Sequence, residues 1–201
     1  MYKAIFDDNI VNLLNDEYKD KREYLKANND HFNCPICKEK VRLRWAEKAI
    51  RAPHFYHKSI SECIYHDSES PEHRDGKINL FNYFLANLQH KTEIIDVEHY
   101  LPETNQIADI YIKFINGTQW VVEYQRSNIP SEVLIERRSK YKSLGIQDIW
   151  ILGENVVTEN GFLECSVLNI GQTLVSETSF GKGSLVTYNP LSNEVIVYRG
   201  L

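Results

Sequence analysis

The stretch that decides the fold is IADIYIKFINGTQWVVEYQ, residues 107–125. Two runs rich in Ile, Val and aromatic residues flank Asn116-Gly117, a dipeptide typical of tight hairpin turns. Side chains alternate along a strand, so Glu123 and Gln125 share one face of the second run. Asp109 is the acidic residue of the first run. The segment therefore predicts a β-hairpin that brings two carboxylates beside an amide, within apolar surroundings.

Two converging carboxylates are a plausible site for a divalent metal ion. Hard cations such as magnesium take oxygen ligands and leave coordination positions for water and phosphate, as in sites that cut phosphodiesters. The alternative is that Asp109 and Glu123 only form salt bridges with neighbours. Glu98, on the preceding strand, either reaches the same edge or lies on an exposed one. Gln125 can position a water molecule, but unlike lysine it cannot supply positive charge or take a proton.

A long helix is expected before the hairpin, from residue 70 to about 89, because Ser70 can cap it and Pro71 suits its first position. Apolar residues recur at three- and four-residue spacing and predict a stripe that faces the core, formed by Ile78, Phe81, Leu85 and Leu88. The same stripe becomes polar towards the start of the helix, at Glu72, His73 and Lys77.

The order of elements predicts an α/β fold. Strands are expected at 93–101, 106–115 and 118–125, a helix at 130–144 and an apolar strand at 149–152. A three-strand meander followed by a helical crossover predicts a mixed sheet covered by helices. Short strands are expected afterwards at 162–170, 184–188 and 194–198. The predicted division is an N-terminal segment at 1–67, a core at 68–153 and an antiparallel β extension, packed on the core, at 154–201.

The N-terminal segment contains a candidate zinc module. A strand near 2–6 and a helix near 16–27 come first, and predicted strands at 41–45 and 50–56 belong to the module, at about 32–66. Cys34-Pro-Ile-Cys37 lets two thiolates reach one tetrahedral ion. Further ligands come from His54, His57, Cys63 and His66, more than one ion needs. The odd spacing of His54 and His57 points them to opposite faces of a strand. The preferred zinc set is Cys34, Cys37, His57 and Cys63, with His54 as the alternative histidine; ordinary buried thiols are the competing interpretation.

Composition limits the classes of function. The 201 residues are 42% hydrophobic and 25% charged, as in soluble globular proteins. The net charge of −5 argues against indiscriminate nucleic-acid binding, although local basic clusters can hold phosphates or form a solvated face. We expect no membrane contact and a cytoplasmic location, because no apolar run or signal pattern indicates otherwise. The basic residues of interest are Arg42, Arg44, Arg137, Arg138 and Lys140.

A series of motifs in order along residues 30–153 resembles the CoiA-like competence nucleases. The motifs are Cys34-Pro-Ile-Cys37, Pro53-His-Phe-Tyr-His57, Glu69-Ser-Pro-Glu-His73 with Lys77, Ala108-Asp109, Val122-Glu-Tyr-Gln-Arg-Ser127, Arg137 with Tyr141, and Trp150-Ile-Leu152. That family joins a zinc-finger-like module to a nuclease of the PD-(D/E)xK superfamily. The resemblance implies a restriction-endonuclease-like core, a zinc-ribbon-like module with structural Zn²⁺, catalytic Mg²⁺ or Mn²⁺, and DNA, single- or double-stranded, as the partner, with competence or recombination proteins as further partners.

The resemblance also assigns roles to individual residues. Asp109 and Glu123 would bind the metal, and Gln125 would replace the superfamily lysine. Glu72 or His73, with Lys77, would support them from the helix. Ser127 would cap the next helix or contact phosphate, while Arg137 would face the DNA path or the carboxylates. Gln106-Ile107 stands where an arginine is often found before the aspartate.

The sequence thus predicts a metal-dependent deoxyribonuclease. The alternative is a zinc-containing DNA-binding or adaptor protein whose nuclease core is weak or inactive. Gln125 separates the two hypotheses, because glutamine in place of lysine weakens the chemical case for hydrolysis.

Overall fold

The computed structural model describes residues 1–46, 52–58, 62–65, 69–161, 164–167, 169–177 and 183–199. Residue 50, where one strand is expected to begin, and the candidate ligand His66 lie outside these ranges. The chain forms two compact units, Met1–Pro71 and Glu72–Leu201. No helix within the described ranges combines the length and the apolar character needed to cross a bilayer.

Within its described residues, the first unit contains two antiparallel strand pairs and two short helices. The elements are β1 (Lys3–Phe6), β2 (Asn9–Asn12), α1 (Asp16–Lys19), α2 (Arg22–Ala27), β3 (Val41–Arg44) and β4 (His54–His57). Val41 pairs with His57 in the second strand pair. Aromatic packing fills the interior, where the rings of Phe32 and Phe55 have centroids 4.9 Å apart. The single helix expected over 16–27 is wrong: in these two helices only Leu25 is buried, so no apolar stripe supports a continuous helix.

The second unit is centred on a six-stranded mixed sheet. It contains α3 (Pro71–Leu88), β5 (Thr92–Leu101), β6 (Gln106–Phe114), β7 (Gln119–Gln125), α4 (Ser131–Ser143) and β8 (Gln147–Gly153). The strands β5, β6 and β7 form an antiparallel meander, and β8 joins β7 in parallel after the crossover through α4. The predicted α/β class and the order helix, three strands, helix, strand are confirmed.

The C-terminal part agrees only in part with the expected antiparallel extension, because β11 and β12 pair in antiparallel as expected but other features differ. It contains β9 (Val157–Gly161), β10 (Glu164–Val167), α5 (Asn169–Glu177), β11 (Ser184–Asn189) and β12 (Glu194–Arg199). The strand expected over 162–170 is thus partly a helix. In addition, β11 pairs in parallel with β8, through Thr187 and Leu152, so the core sheet continues into this region. A parallel neighbour needs a crossover connection, which α5 helps to provide.

The buried face of α3 is rotated relative to the predicted stripe. Leu80 and Phe81 are buried, whereas Leu85 is 38% exposed, so its expected core position is wrong. Gly76 explains the rotation: a Cβ there would lie 2.2 Å from the Tyr124 ring, so this face of the helix approaches β7 where a side chain is lacking. The close approach buries the neighbouring Lys77.

Candidate functional site

The hairpin formed by β6 and β7 brings the two predicted carboxylates to adjacent positions. Ile110 pairs with Val122, which makes Asp109 and Glu123 the next residues on the two strands. The backbone N–H of Tyr124 donates a hydrogen bond of 2.9 Å to Oδ2 of Asp109. The carboxylate of Asp109 is therefore held against its neighbouring strand rather than free to rotate.

Asp109 lies beside two basic side chains from α3. Nζ of Lys77 lies 3.8 Å from Asp109 Oδ1, and Nε2 of His73 lies 3.6 Å from Oδ2. Burial by itself raises the pKa of Asp109, but Lys77 and His73 outweigh it and bring the pKa down to about 2. Asp109 is therefore an ionised, mostly buried carboxylate at neutral pH.

Glu98 supplies a second carboxylate to Lys77. Nζ of Lys77 donates a 3.0 Å hydrogen bond to Oε1 of Glu98, and the two side chains are only 1% and 5% exposed. Of the two positions expected for Glu98, the structure shows the one near the site. The sequence pattern alone left this open, because alternation gives Glu98 the same face as Asp96 on an ideal strand.

Glu123 is held by groups from α4. Nη2 of Arg137 donates to both carboxylate oxygens at 2.9 Å, and the Tyr141 hydroxyl donates to Oε1. Burial is the main cause that raises the pKa of Glu123 to about 7, and the charge of Arg137 opposes the rise. Arg137 also donates to the carbonyl of Ile107 at 2.7 Å. Of the two predicted positions for Arg137, the structure shows the one at the carboxylates.

The other predicted site residues are placed less centrally. Nε2 of Gln125 donates to the carbonyl and the hydroxyl oxygen of Ser127, at 2.9 and 2.7 Å. The side-chain N–H groups of Gln125 are thus directed to the loop after β7. Glu72 lies in the first turn of α3 and is exposed, whereas His73 on the same turn reaches Asp109.

One group of side chains that could hold a metal ion contains Asp109, a member of the predicted pair. Glu69, two residues before α3, offers a carboxylate oxygen to a group with His73 and Asp109, whose ligand atoms lie within 4.8 Å of one another. Glu123 is not in this group. Two carboxylates and an imidazole form a mixed oxygen and nitrogen donor set, which fits Mn²⁺ at least as well as Mg²⁺. Glu69 appeared in the sequence only as part of a motif, four positions before His73.

A second group of ligands lies in the first unit, at Cys34, Cys37, His57 and Cys63. The Sγ atoms of Cys34 and Cys63 are 3.8 Å apart, and Cys37 Sγ lies 3.3 Å from Nε2 of His57. In a tetrahedral zinc site with Zn–S bonds of about 2.3 Å, two sulfurs are about 3.8 Å apart. The four side chains therefore fit one zinc ion.

The local backbone supports this cysteine cluster. The N–H of Ile36 points to Cys34 Sγ at 3.4 Å and that of Tyr65 to Cys63 Sγ at 3.5 Å, as suits thiolates. Burial raises the pKa of the Cys34 thiol to about 12. A bound dication reverses this effect because it favours the thiolate. His54 is not in the group; its Nδ1 lies 3.0 Å from the carbonyl oxygen of Ala52.

The basic residues predicted to contact DNA have intramolecular partners. Arg42 is paired with Asp30, and the Arg44 guanidinium lies 4.7 Å from the ring centroid of Tyr56. On α4, Arg138 Nε donates to Asp148 at 2.6 Å and Lys140 Nζ lies 2.8 Å from Glu136. Arg44 and Lys140 are the more accessible of these cations.

Two family models match the chain. The one described as competence protein CoiA, nuclease-like domain, matches residues 69–201, and the one described as competence protein CoiA, N-terminal domain, matches residues 14–66. No curated protein and no solved structure matches. The boundary between the matches falls just after the cysteine cluster and just before α3.

Proposed function

The chain belongs to the CoiA competence-protein family, and from this premise we propose that it is a metal-dependent deoxyribonuclease that hydrolyses phosphodiester bonds at Asp109. The observation that carries the proposal is the geometry at Asp109: its carboxylate lies 3.6 Å from Nε2 of His73 and 3.8 Å from Nζ of Lys77, and it belongs with His73 to a group able to hold a metal ion. A nuclease-like domain implies interaction with nucleic acid, and DNA is the substrate that we propose.

Asp109, His73 and Glu69 would hold the catalytic Mn²⁺ or Mg²⁺, with Glu123 at the adjacent position on β7. The cation would supply positive charge to the phosphate in the transition state. Lys77 has a different task, because it is 1% exposed and cannot easily touch a substrate. It keeps Asp109 ionised. Gln125, on the same face of β7 as Glu123, would orient a water molecule once its amide leaves Ser127.

The cysteine cluster would hold one structural zinc ion. Its donor set, three thiolates and an imidazole, is typical of closed structural sites, and we infer no step of hydrolysis there. Arg44 and Lys140 remain the proposed contacts to DNA phosphates among the basic residues, because their exposed side chains can exchange weak partners for phosphate.

The decisive experiment is a cleavage assay on single- and double-stranded DNA with Mg²⁺ or Mn²⁺. The wild type should cut at least one substrate, and Asp109→Asn should lower the rate at least about 100-fold, because ligand charge and metal affinity are lost together. Asp96→Asn is the matched control, because Asp96 bonds to His99 on β5 instead. Equal rates for the wild type and Asp109→Asn would contradict the proposal.

A second candidate function is a DNA-binding adaptor with a weak or inactive nuclease core. One observation favours it: Arg137 and Tyr141 already bind Glu123, and Gln125 is bonded to Ser127. In that case the protein should bind DNA in a salt-dependent manner and cleave none of the substrates with either metal ion. Measurable metal-dependent cleavage that Asp109→Asn removes would exclude the adaptor function as the whole role.

A further inference from the structure

We propose that Glu98 is a positioning residue that holds the Lys77 ammonium beside Asp109, at a distance that leaves the Asp109 carboxylate open to a metal ion. The inference rests on the proposed nuclease function for its consequence in catalysis. Its structural basis is the row of contacts from Glu98 Oε1 to Lys77 Nζ, 3.0 Å, and from Lys77 Nζ to Asp109 Oδ1, 3.8 Å.

The backbone at Glu98 is unusual in a way that favours a dedicated role. Glu98 has a φ of +49°, a left-handed conformation that costs a non-glycine residue energy within a strand. On either side of it the ladder pairs Val97 with Ile110 and His99 with Ala108, and the Glu98–Asp109 position between them is left without a ladder pair. The irregularity lies directly opposite the proposed metal ligand.

The left-handed residue also changes which side chains share a face of β5. On an ideal strand, Asp96 and His99 point to opposite faces. Here Asp96 bonds to His99 at 2.7 Å, and His99 stacks on Tyr111, the residue paired with Asp96. The alternation therefore shifts at Glu98. Its carboxylate is turned towards Lys77 rather than into the row that contains Asp96 and His99.

The contact between Lys77 and Glu98 is buried, which strengthens it. A buried ammonium requires anionic partners, and Lys77 has a carboxylate on each side. Glu98 draws the ammonium away from Asp109; a shift of Lys77 onto Asp109 would make it compete with a metal ion for the same oxygen. With Glu98, the ammonium is held at hydrogen-bond distance from Glu98 and at the longer distance from Asp109. Mutation of a group that orients a metal ligand commonly lowers metal affinity or activity about 10- to 100-fold. We expect a loss of about this size on mutation of Glu98.

The test uses Glu98→Gln in the full-length protein, because the amide preserves the size of the side chain and leaves Lys77 paired with Asp109. The matched control is Glu93→Gln, which removes another Glu–Lys pair of the same strand, 2.6 Å from Lys113 but largely exposed. We expect Glu98→Gln to lower kcat about 10- to 100-fold with an unchanged KM for DNA, and Glu93→Gln to leave both unchanged. Glu98→Asp should restore part of the activity. Equal kcat values for Glu98→Gln and the wild type would overturn the proposal.

A second readout does not depend on activity. A buried, hydrogen-bonded ammonium is protected from exchange, so the ¹⁵N-labelled wild type should show a lysine Nζ–H cross-peak at neutral pH that is absent from the double variant Lys77→Met, Glu98→Gln. Glu98→Gln alone should shift this peak, because the ammonium stays buried but moves from Glu98 towards Asp109, and Glu93→Gln should leave it unchanged. A peak that persists unchanged in Glu98→Gln would overturn the positioning role. An inactive wild type would overturn the nuclease function, whereas the ammonium peak would still decide whether Glu98 holds Lys77.

Discussion

The cysteine cluster of the first unit and the Asp109 site of the second unit differ in whether protein cations lie beside the candidate metal ligands. The four cluster ligands, Cys34, Cys37, His57 and Cys63, face one another with like donor atoms. At the other site each carboxylate already has a cation from the protein, Lys77 for Asp109 and Arg137 for Glu123. We propose that a zinc ion stabilises the first arrangement. The second can form without one.

This difference separates a structural ion from an exchangeable one. In the proposed zinc site, three buried or half-buried thiol groups would gain stability from zinc, which contributes roughly 10–16 kcal/mol in small modules. A carboxylate beside lysine and histidine can keep its place without a metal ion, as the proposed exchangeable site would require. The following predictions test this contrast, starting with the largest effect.

Removing one cluster ligand should have the largest effect on stability. Cys37→Ser should abolish stoichiometric zinc binding and unfold the first unit, because the zinc contribution of roughly 10 kcal/mol exceeds what this small core can supply. Elemental analysis and limited proteolysis of the full-length protein measure both effects.

His54→Gln is the matched control for the zinc ligands. It changes a buried histidine of the same strand that lies outside the cluster, so the zinc content should stay at about one ion per chain. Loss of zinc from His54→Gln but not from His57→Gln would show that the ligand set has been assigned to the wrong histidine.

Burial disfavours the charged form of Glu123, so the free energy of unfolding should depend on pH. Its pKa is raised from 4.5 to about 7 in the folded protein, so between these pH values the unfolded state binds fewer protons. The contribution of Glu123 is therefore fully present below pH 4.5 and is lost as pH rises through 7, by about 3 kcal/mol. Denaturant unfolding of the wild type and Glu123→Gln, without added divalent metal, should show this relative decline. Parallel curves for the two proteins would contradict the burial of Glu123 as an imperfectly paired acid.

The close approach of α3 to β7 should make Gly76 sensitive to a single methyl group. Gly76→Ala places a Cβ 2.2 Å from Tyr124 Cε1, and should lower the free energy of unfolding by about 2–3 kcal/mol and displace Lys77 from Asp109. Gly145→Ala is the control: it has a φ of +69° but nothing within 4 Å, so it should cost only about 1 kcal/mol. Chemical denaturation measures both. A smaller loss for Gly76→Ala than for Gly145→Ala would contradict the packing of α3.

The smallest effect is expected at Gln125. If Lys77 provides the positive charge near Asp109, Gln125→Ala should reduce cleavage less than about tenfold, because only the orientation of water is lost. Steady-state cleavage rates measure this. A loss as large as that of Asp109→Asn would show that Gln125 is as essential as the metal-binding carboxylate.

Local spacing explains which parts of this architecture could be predicted from the sequence. Asn116-Gly117 determines the hairpin, and the two-residue spacing of Cys34 and Cys37 determines half of the cysteine cluster, because both depend on short segments of backbone. The α/β order likewise follows from periodicity along the chain.

The partners of each carboxylate could not be predicted in the same way. They depend on how α3 and α4 pack on the sheet: Gly76 sets the position of Lys77, and Arg137 reaches Glu123 from the next helix. The left-handed Glu98 breaks the alternation on which the strand prediction relied. The helix α5 lies in a region where turn signals predict only strands, so it is not predicted from the sequence.

The central claim is that Asp109 is the ionised carboxylate on which metal-dependent cleavage depends. Single-turnover cleavage of a labelled DNA oligonucleotide with Mn²⁺, by the wild type, Asp109→Asn and Asp96→Asn at equal folded concentration, tests it most directly. We predict cleavage by the wild type and Asp96→Asn, and a rate at least about 100-fold lower for Asp109→Asn. Cleavage by Asp109→Asn at the rate of the wild type would contradict the account.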